Sequence, residues 1–268
     1  MRRFWRLAWT LAITDFKLRF FGSALGYLWQ LIRPLMLFGV IYVVFSLFIG
    51  IGSGAYYAVS LLLGIVLYTY FSEITGGSVR CLVNREPLVR KVDFPRLAVP
   101  MAGLLMATIN IGLNLIPVLI FLIIAGATPM LTWLLFPFVV LFIAVFAFGI
   151  AMLLSSLFIP FRDVDPIWDV ILQAMFYASG IFFTVDSIGS KLPSWISQET
   201  VVRILLSNPF AAALQEARHL LVSPTYPSVS ASMGGFVWVL IPLGITVAVV
   251  VSGYRVFTRL APTIAEDL

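Results

Sequence analysis

Cysteine and histidine each occur once in the 268 residues, at Cys81 and His219. A single thiol excludes an intramolecular disulfide, and one thiol with one imidazole argues against a zinc site within the chain. Charge is equally scarce. Only 11% of residues are charged, against about 25% in soluble domains, so a folded chain lacks the polar surface to face water all round. Lysine is limited to Lys17, Lys91 and Lys191, and none follows the Gly-x-x-x-x-Gly spacing of a phosphate-binding loop. No zinc-protease helix motif and no nucleophile elbow occurs. Glu73 is the clearest ionisable group inside an apolar stretch, with Asp169 at the margin of another. That shortage counts against an intramembrane enzyme and a proton-coupled carrier, and no inverted repeat accompanies it.

What is abundant is apolar: 61% hydrophobic residues, 15% aromatic, and a mean hydropathy of +1.06. The net charge of +5 does not imply nucleic acid, because the basic residues flank apolar runs rather than forming one face. Taking about 20 apolar residues per crossing, spans are expected near 24–49, 56–79, 97–125, 131–159, 166–183 and 235–257. With the N-terminus inside, thirteen cations fall in cytoplasmic pieces and three (Lys191, Arg203, Arg218) outside. This positive-inside bias favours six spans over five and puts both termini in the cytoplasm.

The flanking segments carry their own signals. Across residues 1–22, Arg3, Arg6, Thr10, Thr14 and Lys17 share one helical stripe, and Phe4, Trp5, Ala8, Leu11, Ala12 and Phe16 cover the other. That pattern predicts an amphipathic helix lying in the membrane interface; Asp15, Lys17 and Arg19 distinguish it from a signal peptide. Arg33-Pro34 predicts a bend or restart in the first span, with Glu73 of the second span as the partner of Arg33. Residues 184–233 are too polar for lipid and too apolar for an ordinary loop, so short, re-entrant helices at the outer face are expected there. The loop 80–96 combines Leu88, Val89 and Val92 with a rim of Arg85, Glu86, Arg90, Lys91 and Asp93. A short helix of that kind suits docking into a partner's groove, although a solvated positive-inside loop has the same composition.

At this loop the chain begins to resemble a known family. The matching pieces are Asp15-Phe-Lys-Leu-Arg-Phe-Phe-Gly-Ser-Ala-Leu-Gly-Tyr-Leu-Trp29 with Pro34, then Gly64-Ile-Val-Leu-Tyr-Thr-Tyr-Phe71. Asn84, Leu88, Phe94-Pro-Arg96, Phe161-Arg-Asp-Val164 and Asn208-Pro209 follow in order. Together they resemble the membrane subunit of type-2 ABC exporters, particularly those of lipid-linked polysaccharides such as O-antigen, capsule or teichoic acid. The resemblance implies an all-α permease, 1–268, in a bacterial inner membrane. It implies a homodimer that binds two copies of a cytosolic ATPase, with ATP and magnesium held by that partner and none in this chain. Asn84, Arg85, Glu86, Leu88, Val89, Lys91 and Phe94 would be its ATPase-coupling residues. Asp15, Lys17 and Arg19 would belong to an interfacial gate, and Asn208 and Pro209 to an outer gate.

Aromatic faces can stack on sugar rings while tyrosine hydroxyls donate hydrogen bonds, which makes Tyr68, Tyr70, Phe71 and Tyr177 candidates for a substrate path. Aromatics also anchor helices at membrane interfaces, so the composition leaves both readings open. A self-contained channel or carrier, or an ABC exporter of drugs or small lipids, are the competing functions.

Overall fold

The computed structural model describes residues 2–19, 26–48, 50, 56–86, 95–185 and 197–260, and every regular element in them is helical. Helix α1 covers Arg2–Arg19, α2 Leu28–Tyr42 and α3 Tyr57–Val79. Helix α4 covers Ala98–Ile124, and a 3-10 turn at Leu131–Leu135 leads into α5, Phe136–Leu157. Helix α6 is Val164–Ala178, α7 Gln198–Ser207, α8 Pro209–Ala217, α9 Val229–Met233 and α10 Phe236–Leu260.

Among the described residues, five stretches are long and apolar enough to cross a membrane: Leu28–Ser46, Tyr57–Val79, Ala98–Ile124, Leu131–Leu157 and Phe236–Leu260. They coincide with five of the six expected spans to within a few residues. Helix α6, at the expected fifth span, has 15 residues, about 22 Å of helix against a hydrocarbon thickness near 30 Å. No restart occurs at Pro34. Helix α2 continues through Pro34, and its regularity changes later, in a π-helical turn at Val43–Phe48.

Helix α3 is the centre of the bundle. Leu61, Leu62, Leu63, Ile65, Val66 and Leu67 are all at most 1% exposed, and a helix apolar around its whole circumference is stable only when surrounded. Helices α2, α4, α5 and α6 pack against it. Phe71 stacks on Phe146 of α5 with ring centroids 5.7 Å apart, and Phe210 of α8 lies 5.5 Å from Phe71. The start of α8 is therefore beside the middle of α3.

Helix α6 runs antiparallel to α3 along its whole length. Arg80 Nη2 meets Asp165 Oδ2 at 2.5 Å, the Tyr68 hydroxyl donates to the Leu172 carbonyl, and the Tyr57 hydroxyl donates to the Phe182 carbonyl at 3.3 Å. The chain leaves α6 through Gly180, whose φ of +72° is unfavourable for a side-chain-bearing residue. The freed carbonyls are met by the buried Arg218, which donates to Gly180 at 2.8 Å, Ile181 at 3.0 Å and Phe183 at 3.3 Å. These are carbonyls of the turn beyond Ala178, and a cation just past a helix C-terminus also suits the helix dipole.

Helices α5 and α10 approach through glycine. A Cβ on Gly253 would lie 2.3 Å from the Gly149 carbonyl oxygen, and one on Gly149 would lie 3.0 Å from the Val250 backbone. Small residues at such a seam let two backbones touch, the usual route to tight helix pairing in lipid. Gly253→Ala should gain helix propensity, about 1 kcal/mol, yet lose more by forcing the backbones apart, about 1–3 kcal/mol. Thermal unfolding of the detergent-purified chain should show a net loss for Gly253→Ala and none for Gly244→Ala, whose Cβ meets nothing within 4 Å.

Candidate functional site

Four of the charged residues expected to be functional, Asp15, Arg19, Glu73 and Arg85, converge near the end of α3. A cavity of about 510 Å³ lies between α1, α3 and α4, lined by Asp15, Arg19, Glu73, Gly77, Cys81, Asn84, Arg85, Gly103 and Asn110 among others. Helix α1 is seated on α4 through Ala8 and Ala12, both fully buried. Trp5, Trp9 and Leu18 stay exposed on α1.

Two ion pairs fix α1 to the rest of the site. Arg19 Nη1 lies 2.6 Å from Glu73 Oε1, and Arg85 Nη2 pairs with Asp15 Oδ2. Asn110 of α4 donates through Nδ2 to both Glu73 oxygens, at 3.0 and 3.3 Å. The carboxylate is thus held from two helices, and its charge is balanced at the bundle's edge, where an unpaired ion is costly. Burial pushes the Cys81 thiol up to about 12, so it lines the cavity as a protonated group and not as a nucleophile.

These contacts revise several expectations. Glu73 is taken by Arg19 and Asn110, while Arg33 lies exposed on α2; the expected Arg33–Glu73 pair is not formed, because the rotation of α2 about its axis turns Arg33 away. Tyr68, Tyr70 and Phe71 are core residues rather than a path: all three are at most 8% exposed, with the Tyr70 hydroxyl 3.1 Å from Thr108 Oγ1. Tyr177, 66% exposed, is the only member of that set open to the surroundings.

Asp15 and Arg19 turn inward into ion pairs, and Lys17 stays exposed. Asn84, Arg85 and Glu86 are described; Leu88, Val89, Lys91 and Phe94 lie outside the described residues. Asn208 accepts the Phe210 amide at 3.0 Å as the N-cap of α8, and Pro209 fills its first turn, both ordinary roles for those residues.

Three partners were missed in the sequence: Asn110, Asp165 and Arg218. Asn110 and Asn114 stand four residues apart in an otherwise apolar helix, a signal that one face meets something polar. Nothing local distinguishes Asp165 or Arg218.

A bundle with five helices long and apolar enough to cross a membrane, to which the amphipathic α1 is held by ion pairs, is the architecture of a multi-pass membrane protein. The chain belongs to the ABC-2 type transporter family, whose model matches residues 6–207. Curated relatives agree. An O-antigen export system permease protein RfbA of Klebsiella pneumoniae is 28% identical over 257 residues, 95% of this chain and 92% of the relative. A second protein of that name from the same organism is 29% identical over 211 residues, covering 78% and 77%. One from Myxococcus xanthus is 27% identical over 181 residues, covering 67% and 68%.

The burial asymmetry at the Arg19–Glu73 pair yields a test. The Arg19 side chain is 35% exposed and Glu73 16%, so removing the arginine strands the more buried charge. Arg19→Gln should destabilise the purified chain by about 1–2 kcal/mol, and Glu73→Gln by less. The opposite order in thermal unfolding would contradict the asymmetry.

Proposed function

We propose that this chain is the membrane-spanning subunit of an ATP-driven exporter that moves a lipid-linked polysaccharide, of the O-antigen class, across the bacterial inner membrane. The observation that carries the reading is similarity to O-antigen export permeases over 95% of the chain. The chain has no nucleotide-binding loop, so hydrolysis belongs to a cytosolic ATPase partner, which also holds ATP and magnesium.

Six crossings are the topology that best accounts for the contacts. Helix α6 alone is short, but α6 together with the turn to Phe182 accompanies α3 from Arg80 to Tyr57. Helices α7 and α8 then form a re-entrant hairpin: its tip, at Asn208-Pro209, sits beside Phe71, and its end returns to Thr132, which donates to the Leu220 carbonyl at 2.9 Å. This hairpin is the outer gate in our reading. In this reading both termini are cytoplasmic, which the thirteen-to-three distribution of cations supports.

A large glycan needs a route wider than one six-helix bundle encloses, which favours a homodimer. Asp169, Gln173 and Tyr177 repeat at i, i+4 and i+8 along α6, and all three are exposed. Such a polar stripe is unsuited to lipid and suited to a sugar path between two copies. It replaces Tyr68, Tyr70 and Phe71 in that role.

The Asp15–Arg85 pair supplies the coupling. Arg85 opens the loop expected to dock the ATPase, and Asp15 lies on the interfacial helix, so movement of the loop is transmitted to the gate through one charged contact.

Two measurements test this reading. A cytosolic ATPase should copurify with the tagged chain, and purification alone after cross-linking would favour a self-contained channel. In whole cells, Asp15→Arg and Arg85→Asp should each cut surface glycan roughly tenfold while ATPase binding persists, and the double exchange should recover most of it; a gain of one charge-assisted contact is worth about that factor. Separately, Gln173→Leu with Tyr177→Ala should reduce export without loss of stability, whereas Tyr68→Ala should lower stability first.

A further inference from the structure

Two opposite charges stand on the outward faces of apolar helices with no partner in the chain. Arg33, five residues into α2, and Asp169, five residues into α6, are both exposed. Among the described residues neither forms an ion pair or a hydrogen bond, whereas Arg19, Glu73, Arg80 and Asp165 are all paired. At about 1.5 Å of rise per residue, each lies about 7.5 Å inside its helix. An ionised group at such a place is costly unless it meets its opposite. An arginine can snorkel over that distance, but an aspartate side chain is too short to follow.

The helices that carry them share one flank of the bundle. Helices α2 and α6 both pack against α3, and Phe45, just beyond α2, stacks on Phe182, just beyond α6, with ring centroids 5.0 Å apart. Tyr42 at the end of α2 lies 6.3 Å from Tyr57 at the start of α3, the residue that also donates to Phe182. Both helices therefore run antiparallel to α3 and parallel to each other. Arg33 comes twelve residues before Phe45 and Asp169 thirteen before Phe182, which brings the two charges to similar depths. Their surroundings are complementary. On α2, Arg33 is the one charge in an exposed stripe with Trp29, Leu37 and Val40. On α6, Asp169 is the one charge in the stripe with Gln173 and Tyr177.

We propose that Arg33 of one copy pairs with Asp169 of a second copy, joining α2 to α6 across a two-fold axis. A two-fold interface presents the same patch twice, so a cation and an anion on one flank each find their opposite, and the pair forms twice. The two pairs bound the path between the copies at its cytoplasmic end, leaving Gln173 and Tyr177 to line it above. The inference rests on the homodimer proposed above and names the contact that holds it together.

The test uses the full chain in native membranes, expressed as two differently tagged copies. One copy carries Arg33→Cys and the other Asp169→Cys. A disulfide needs Cα atoms within about 7 Å, closer than an arginine–aspartate pair requires, so a bis-maleimide of arginine length is the cross-linker. The mixed pair should cross-link between copies. Arg33→Cys beside a wild-type copy should not, which controls for Cys81. Arg255→Cys beside Asp169→Cys should not either, because α10 is seated on α5. In a second arm, Arg33→Asp and Asp169→Arg should each weaken the association of the two tagged copies in detergent about tenfold, and the double exchange should restore it. Where a reversal lowers the yield of the chain itself, the cross-link decides. Copies that copurify without the mixed cross-link, a cross-link from Arg255→Cys in its place, or a double exchange no better than its parents would each overturn the ion pair and leave the homodimer standing. Wild-type copies that fail to copurify would overturn both.

Discussion

Inside an apolar bundle no water stands ready to satisfy a polar atom, and most of the architecture follows from that. Helices dominate because they bond their own backbones. Along α3, the hydroxyls of Thr69, Thr75 and Ser78 return to the carbonyls of Ile65, Phe71 and Ile74, at 2.8, 3.0 and 2.6 Å. Where α6 ends and carbonyls are released, a buried arginine collects them. Where α3 carries a carboxylate, an arginine and an asparagine from two other helices close around it.

The same constraint explains the arrangement at the end of α3. An amphipathic helix on a membrane surface is held by its apolar face alone and is free to slide. Helix α1 is pinned more firmly, by two small buried residues and two ion pairs. One pair leads into the central helix, and the other leads to the start of the loop that would meet an ATPase.

Much of this was legible beforehand. Long apolar runs have few alternatives in structure, so five spans could be bounded within a few residues, and Glu73, Asp15 and Arg19 stood out because charge was rare. The partners were not legible. Arg33 and Glu73 look well matched by depth, yet depth is only one coordinate: the rotation of α2 leaves Arg33 exposed. Tyr68, Tyr70 and Phe71 carry the chemistry of a sugar path, but a tyrosine whose hydroxyl finds a carbonyl across a helix pair is equally at home in the core. The Asn110 and Asn114 repeat was readable in principle and passed over, because asparagine carries no charge to attract notice.

By itself the sequence determined the class of molecule. Hydropathy set the place and length of five long apolar helices, and the order of motifs along the chain pointed to the transporter family to which it belongs. These are properties of composition and spacing along one dimension, which lipid and water read segment by segment. Tertiary structure decided which groups meet: that Arg19 and not Arg33 holds Glu73, that Asp15 reaches Arg85 across 70 positions, and that Tyr177 faces outward while Tyr68 is enclosed. Those facts depend on the angle and rotation at which helices pack, set by glycine seams such as Gly149–Gly253 and by aromatic volumes around Phe71. No local pattern encodes them, because each is a relation between surfaces distant in the chain.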